Sequence, residues 1–415
     1  MVEGMKDDRP IFDRTTALEI TRGATHDAPT ELDVHPPTGG GDMPSILRDL
    51  APDAPEPVRV PNGAGSRQLV DNYRAILADR AIYYPVAYRF PRELGRGRQG
   101  IVFLGLRQGA RGCITWHAIK LFDPGIYSSA KKYWTDMGRI AAQTSKLQLV
   151  KNPALVAPEI YEETNGIGYV QMEAVAGVSL REMLDGAHLP QVQARSSEEE
   201  WRHFTDVIFR LENGRIAIQP GVALYIVRFV LRGLETLHQM GFVHSDIKPA
   251  NIMIDRLGFV KLIDYGRAMM NDEKITLLLG TPVYMAPEIH SAPRIARVAS
   301  DLYSLGLVAL EMLRGERIFD PRVPHPESEL QHTKLELPDR LYDLLPEHVR
   351  QNQTFYDLMR RFLAAKPEDR FASAEEADAC IAQVHKQLTI GGMDSDYGRE
   401  LQNYLSKIVN PLGPV

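Results

Sequence analysis

His244-Ser245-Asp246-Ile247-Lys248-Pro249-Ala250-Asn251 sets an acid, a cation and an amide within one short loop. An Asp can orient a hydroxyl and accept its proton. A Lys two residues on can neutralise a phosphate in transfer. An Asn five residues after the Asp can ligate a metal through its carbonyl oxygen. Thirteen residues past Asn251 comes Asp264-Tyr265-Gly266, a second hard oxygen ligand followed by a flexible glycine. These groups suit metal-assisted phosphoryl transfer, in which positioning and charge stabilisation supply most of the rate.

Upstream, Leu94-Gly95-Arg96-Gly97-Arg98-Gln99-Gly100-Ile101-Val102 lies between Tyr88-Arg89-Phe90 and Phe103-Leu104-Gly105-Leu106. The pattern reads strand, glycine loop, strand. Glycines let backbone amides approach phosphates with no Cβ in the way. A lone G-x-G-x-x-G is a weak signal, and a dinucleotide-binding fold also carries one. That fold needs a helix directly after the loop, and here an extended apolar run follows.

Taken together, these stretches resemble the eukaryotic-type (Hanks-type) protein Ser/Thr kinases, with a soluble bacterial member as one possibility. The match continues in family order with His117-Ala118-Ile119-Lys120, then Gly280-Thr281-Pro282-Val283-Tyr284-Met285-Ala286-Pro287-Glu288, Asp301-Leu302-Tyr303-Ser304-Leu305-Gly306 and Lys366-Pro367-Glu368-Asp369-Arg370. The resemblance implies an α+β, two-lobed fold, with a small antiparallel β lobe holding one main helix and a larger helical lobe. It implies a protein serine/threonine kinase that uses ATP and Mg2+ (or Mn2+). Asp246 and Lys248 would be catalytic, and Asn251 and Asp264 the metal ligands. Gly95, Gly97, Gly100, Val102, Ala118, Lys120, Glu173 and Val175 would bind the nucleotide, with Met172 at the back of the adenine pocket. Thr281 would bridge to Asp246 and Lys248, which with Lys248 itself points to Ser/Thr specificity. Asp301 would brace the catalytic loop and Arg370 would pair with Glu288.

Three positions depart from the family pattern. The family spacing puts Gln143, not an acid, where a helix Glu pairs with the strand Lys; Asp136 is the alternative. Ser245 stands where many members carry the Arg that receives an activation-loop phosphate, so Thr276 would have one partner fewer unless Arg267 or Lys274 substitutes. Tyr265 replaces Phe. Two other readings stay open: a pseudokinase-like nucleotide-binding scaffold, and a small-molecule kinase, which would lack the Met285–Glu288 element.

The chain of 415 residues fits one two-lobed domain with extensions. Residues 1–66 hold six Lys/Arg and twelve Asp/Glu, which accounts for the whole net charge of −6. They read as a disordered acidic tail, with Thr15 and Thr16 as candidate self-phosphorylation sites. The remainder is formally neutral, which argues against nucleic acid as a partner. No stretch is long and apolar enough for a membrane span, and the acidic N-terminus is unlike a signal peptide. Two cysteines, Cys113 and Cys380, fit a reducing cytoplasm.

The expected organisation is a leading helix over 67–83, a first lobe over 84–175 with a helix near 129–150, and a second lobe over 176–388 with an insert near 185–219. A helical extension over 389–415 follows. Ser197-Glu198-Glu199-Glu200 is a capping box, predicting a helix to about Gly214 with Trp201, Phe204, Ile208 and Leu211 on one face. That 197–213 helix and the C-terminal helix (Tyr397, Leu401, Tyr404, Leu405, Ile408) are candidate surfaces for self-association or a partner, or else pack on their own lobe. The remaining expected partner is a protein substrate bearing Ser or Thr.

Overall fold

A computed structural model describes residues 65–82, 87–109, 113–212, 214–264, 268–275, 281–320, 322–388 and 396–408, all within one compact unit. The acidic tail with Thr15 and Thr16, as well as Tyr265, Gly266, Arg267 and Thr276, lie outside these residues.

The chain opens with α1 (Ser66–Asp79), whose buried Leu69, Tyr73 and Ile76 repeat at helical spacing. It stops earlier than expected: Arg80 takes a left-handed φ of 48° and the chain turns into β1 (Ala81–Ile82). Next come β2 (Tyr88–Gly97), β3 (Gly100–Gln108), β4 (Ile114–Phe122), α2 (Ala130–Leu147), β5 (Pro158–Thr164) and β6 (Ile167–Glu173). The six strands form one antiparallel sheet in the order β1-β2-β3-β4-β6-β5.

Register settles which side chains share a face. Val102 pairs with Lys120 and Lys120 with Val170, while Ala118 pairs with Met172. Directly paired residues point to the same side of a sheet, and positions two apart share it. Val102, Ala118, Lys120 and Met172 therefore lie on one face. Ile101, Phe103, Ile119 and Leu121, of opposite parity, belong to the small-lobe core with Tyr133, Met137 and Ile140 of α2. Ser129 caps α2 by accepting from the Lys132 amide at 3.3 Å.

Beyond β6 the fold becomes helical. In order follow β7 (Gly177–Ser179), α3 (Leu180–Asp185), α4 (Leu189–Ala194), α5 (Glu198–Val207), β8 (Phe209–Glu212), β9 (Arg215–Ile218) and α6 (Pro220–Gln239). Then come β10 (Phe242–Val243), β11 (Ile252–Asp255), β12 (Val260–Leu262), β13 (Met269–Met270), α7 (Val298–Arg314), α8 (Glu327–Leu344), α9 (Glu347–Arg350), α10 (Gln353–Phe362), α11 (Ala374–Leu388) and α12 (Tyr397–Ser406). Apolar residues of α6 and α7 run through the core of this lobe, and α7 is buried from Ser300 to Leu313. The small sheet β12-β11-β7 and the pair β10–β13 frame the loop around Asp246. The small antiparallel sheet lobe with one main helix and the larger helical lobe are the α+β architecture expected from the sequence.

The insert corrects the sequence reading. Its capping box is formed, with the Ser197 hydroxyl accepting from the Glu200 amide at 3.1 Å. The helix, however, ends at Val207, and β8 then pairs antiparallel with β9, from Phe209 opposite Ile218 to Glu212 opposite Arg215. Leu211 is exposed, while Phe204 is buried against Tyr404 of α12, with ring centroids 5.3 Å apart. The C-terminal helix thus docks on the large lobe, burying Leu401, Tyr404 and Leu405.

Candidate active site

The loop between β10 and β11 owes its shape to a buried acid. The Asp301 carboxylate, 1 % exposed at the start of α7, accepts the backbone amides of His244 at 2.7 Å and Ser245 at 2.8 Å. The His238 ring nitrogen lies 3.0 Å from the same carboxylate. Ser245 is thereby held at φ +65°, a left-handed conformation that disfavours non-glycine residues. His244 Nε2 lies 3.2 Å from the Ile263 carbonyl, which can only accept, and His244 Nδ1 accepts the Asp246 amide at 3.3 Å. Those roles define a neutral imidazole, and complete burial holds its pKa below the ordinary value.

Asp246 and Asn251 are each 5 % exposed. Lys248 Nζ donates to Asp246 Oδ2 at 2.7 Å and to Thr281 Oγ1 at 3.0 Å. Thr281 closes the triangle: its amide and hydroxyl donate to Asp246 Oδ1 at 3.2 and 3.3 Å. Asn251 Nδ2 donates to the Asp246 carbonyl at 2.8 Å and to Oδ2 at 3.2 Å. With its nitrogen so committed, the Asn251 carbonyl oxygen is the atom left for a ligand.

Across the cleft, Lys120 at the end of β4 is 5 % exposed and makes an ion pair with Asp264. Asp264 has a φ of +60°. Neither sequence-expected helix partner reaches the lysine. Gln143 donates its side-chain nitrogen to the Ala268 carbonyl, and its Oε1 is buried without a partner among the described residues. Asp136 instead takes the Arg139 guanidinium at 2.9 Å and the Tyr127 hydroxyl. Gln99, which sequence reasoning passed over, reaches Lys120 Nζ with its Oε1 at 3.2 Å. Behind the lysine lies a cavity of about 30 Å3 lined by Gln143, Leu147, Val170, Met172 and Asp264.

Gly95 and Gly97 lie exposed along β2 and face Val102 and Gly100 across the ladder. Gly100 has φ +145°, and a Cβ there would collide with the Leu121 carbonyl oxygen. Glu173 ends β6, its carboxylate 2.6 Å from Lys261 Nζ, and Val175 follows in the link to β7.

Two buried cations support the chain after Thr281. The Arg370 side chain, fully buried, pairs in bidentate fashion with Glu288 at 2.8 and 2.9 Å. Lys334 of α8, also fully buried, donates to the Pro282 carbonyl at 2.6 Å and to His290 Nε2 at 2.9 Å. Burial lowers Lys334 from its usual 10.5 to about 7. Burial first, and then the neighbouring Lys334 charge, lower His290 to about 3.

The protein kinase domain family matches residues 88–381, and the chain belongs to that family. It is 26 % identical over 325 residues to serine/threonine-protein kinase pkn2 of Myxococcus xanthus, covering 76 % of this chain and 34 % of that protein. To the probable serine/threonine-protein kinase pknA2 of Bifidobacterium longum it is 29 % identical over 303 residues, covering 72 % and 35 %. The chain thus spans about a third of the length of these two relatives. A crystal structure of the Mycobacterium tuberculosis PknI kinase domain aligns with TM-score 0.48 and 21 % identity over 71 % of this chain and 94 % of that one. Among the described residues, no helix is long and apolar enough to cross a membrane.

A divalent metal fits the residues present. Among the described residues no group of three or more His, Cys, Asp and Glu is set to hold one. Mg2+ needs no such cage, since one or two protein oxygens suffice when phosphates and water complete the octahedron. Asp264 and Asn251 supply hard oxygen donors of that kind.

Proposed function

We propose that the protein is a serine/threonine kinase that transfers the γ-phosphate of MgATP to Ser or Thr hydroxyls of a protein substrate. The triangle of Asp246, Lys248 and Thr281 carries this reading. It places a carboxylate able to accept the hydroxyl proton beside a cation able to meet the γ-phosphate, both tied to the segment that begins at Thr281. The hydroxyl oxygen forms a bond to the γ-phosphorus, the bond from that phosphorus to the β–γ bridging oxygen breaks, and ADP leaves. Asp246 orients the hydroxyl and takes its proton. Lys248 neutralises charge on the phosphate in transfer, and Lys120 holds the α- and β-phosphates. Gly95, Gly97 and Gly100 keep backbone amides close to the phosphates. Val102 and Ala118 present apolar surface to the adenine, while Glu173 and Val175 offer it backbone groups. Asn251 and Asp264 would hold a divalent ion, which would supply neutralisation of phosphate charge. In this reading, residues 84–175 and 176–388 are the two lobes around the nucleotide, with 185–219 as an insert and 389–415 as an extension.

The test is transfer from γ-labelled ATP to a generic protein substrate, followed by phosphoamino-acid analysis, beside Asp246→Asn. Label on Ser and Thr that disappears in the variant is the expected result. Nucleotide binding without any transfer would favour the scaffold reading instead.

A further inference from the structure

The turn that joins β2 to β3 consists of Arg98 and Gln99, between the paired Gly97 and Gly100. Its two neighbouring guanidiniums are in solvent: Arg96 is exposed and pairs with Glu93 at 2.9 Å, and Arg98 is exposed as well. Gln99 does the reverse. It is 2 % exposed, and its carbonyl accepts the Asp123 amide at 2.8 Å, which tucks the turn against the end of β4. Its Oε1 accepts from Lys120 Nζ at 3.2 Å. Its Nε2, on the same amide, is buried and has no partner among the described residues.

Lys120 needs an acceptor that stays in place when a nucleotide arrives. Its ion-pair partner, Asp264, is one of the two residues assigned to the metal, and α2 offers it no carboxylate. Gln99 supplies a neutral acceptor from the opposite side. An amide is suited to this position because it also carries donors, and a buried N–H without an acceptor is costly. The partner that satisfies it must be rich in acceptors and lie beside a lysine ammonium. A phosphate oxygen meets both conditions.

We propose that Gln99 both positions Lys120 and contacts the nucleotide, with Oε1 holding the ammonium while Nε2 donates to a phosphate oxygen. This rests on the functional reading above. Gln99, a side chain in a loop otherwise valued for its backbone, takes the part of the brace that α2 lacks. No covalent step is involved.

The test is equilibrium binding of ATP, ADP and adenosine with Mg2+ to wild type, Gln99→Leu and Gln99→Glu, read by calorimetry. Leu keeps the size and loses both polar atoms; Glu keeps the oxygen facing Lys120 and exchanges the donor for a second acceptor. Both variants are expected to weaken ATP and ADP by about tenfold or more while changing adenosine, which has no phosphate, little, since one charge-assisted hydrogen bond is at stake. Gln99→Leu binding ATP as wild type does would overturn the proposal entirely. Gln99→Glu matching wild type while Gln99→Leu fails would overturn the donation to phosphate. Equal loss for all three ligands, adenosine included, would reduce Gln99 to a packing residue and overturn both parts. A wild type that binds no nucleotide would instead sink the kinase reading, and this inference with it.

Discussion

Asp301→Asn is the sharpest test of how the catalytic loop is held. The carboxylate accepts two backbone amides on its two oxygens and a ring nitrogen on one of them, at 1 % exposure. An Asn has one acceptor oxygen, so its amide nitrogen must oppose either the His244 or the Ser245 N–H. One hydrogen bond to a charged acceptor is lost and one buried donor is left unmet. Each is worth about 1.5–3 and 1–3 kcal/mol, and they overlap, which gives a net loss of roughly 2–4 kcal/mol. At about 2 °C per kcal/mol for a domain of this size, the melting temperature should fall by roughly 4–8 °C. The left-handed Ser245 adds leverage, because a non-glycine residue in that region stores on the order of 1–3 kcal/mol, released when its brace is gone. Asp246 would then move, so transfer from γ-labelled ATP should drop much further than the folded fraction does. Calorimetry and the kinase assay, run well below the melting point, measure the two effects separately. A variant that melts within about 1 °C of wild type and keeps its activity would refute the argument.

Two further outcomes follow from buried and paired charges. Lys334 and His290 both have folded pKa values below their unfolded ones, about 7 against 10.5 and about 3 against 6.5. The unfolded chain therefore binds more protons in both windows, and each group makes stability rise with pH there, by at most about 1.4 kcal/mol per pH unit. Urea unfolding at pH 7, 8 and 9 should show wild type gaining on Lys334→Met across that range, and a constant difference would contradict the placement of the lysine. Separately, Asp264→Ala should abolish phosphoryl transfer, whereas Gln143→Ala should remove only a neutral hydrogen bond to Ala268, worth about 0.5–1.5 kcal/mol. Equal inactivity of the two, in the same assay, would show that the helix contact is indispensable.

Much of the architecture was readable because its signals are local. The strand–glycine–strand pattern around Gly97 and the alternation at His117–Lys120 predict antiparallel neighbours, and Val102 does pair with Lys120. The insert misled for a local reason too. Trp201, Phe204, Ile208 and Leu211 fit a helical stripe, but Leu211 also fits the alternation of a strand. The Asn213-Gly214 dipeptide, a strong hairpin signal, carried the better information, and Gly214 indeed has φ +75°. The partner of Lys120 was not legible. Spacing can identify Gln143 and Asp136 as candidates, but only packing decides that one faces Ala268 and the other Arg139 and Tyr127. Gln99 left a single trace, an uncharged amide in a loop otherwise made of glycine and arginine.

The seating of α12 has a consequence during synthesis. His188 meets Tyr404 at 2.5 Å, Glu200 meets Lys407 at 2.7 Å and His203 meets Glu400 at 2.8 Å, each pair separated by about two hundred residues of chain. Phe204 and Phe209 therefore leave the ribosome long before Tyr404, the ring that covers them, has been made. At ordinary elongation rates that interval is roughly 10–40 s. Throughout it the nascent lobe lacks the cover that Tyr404 gives these rings, a natural hold for a chaperone. Closing so wide a loop adds an entropic cost as well, one that grows only with the logarithm of its length.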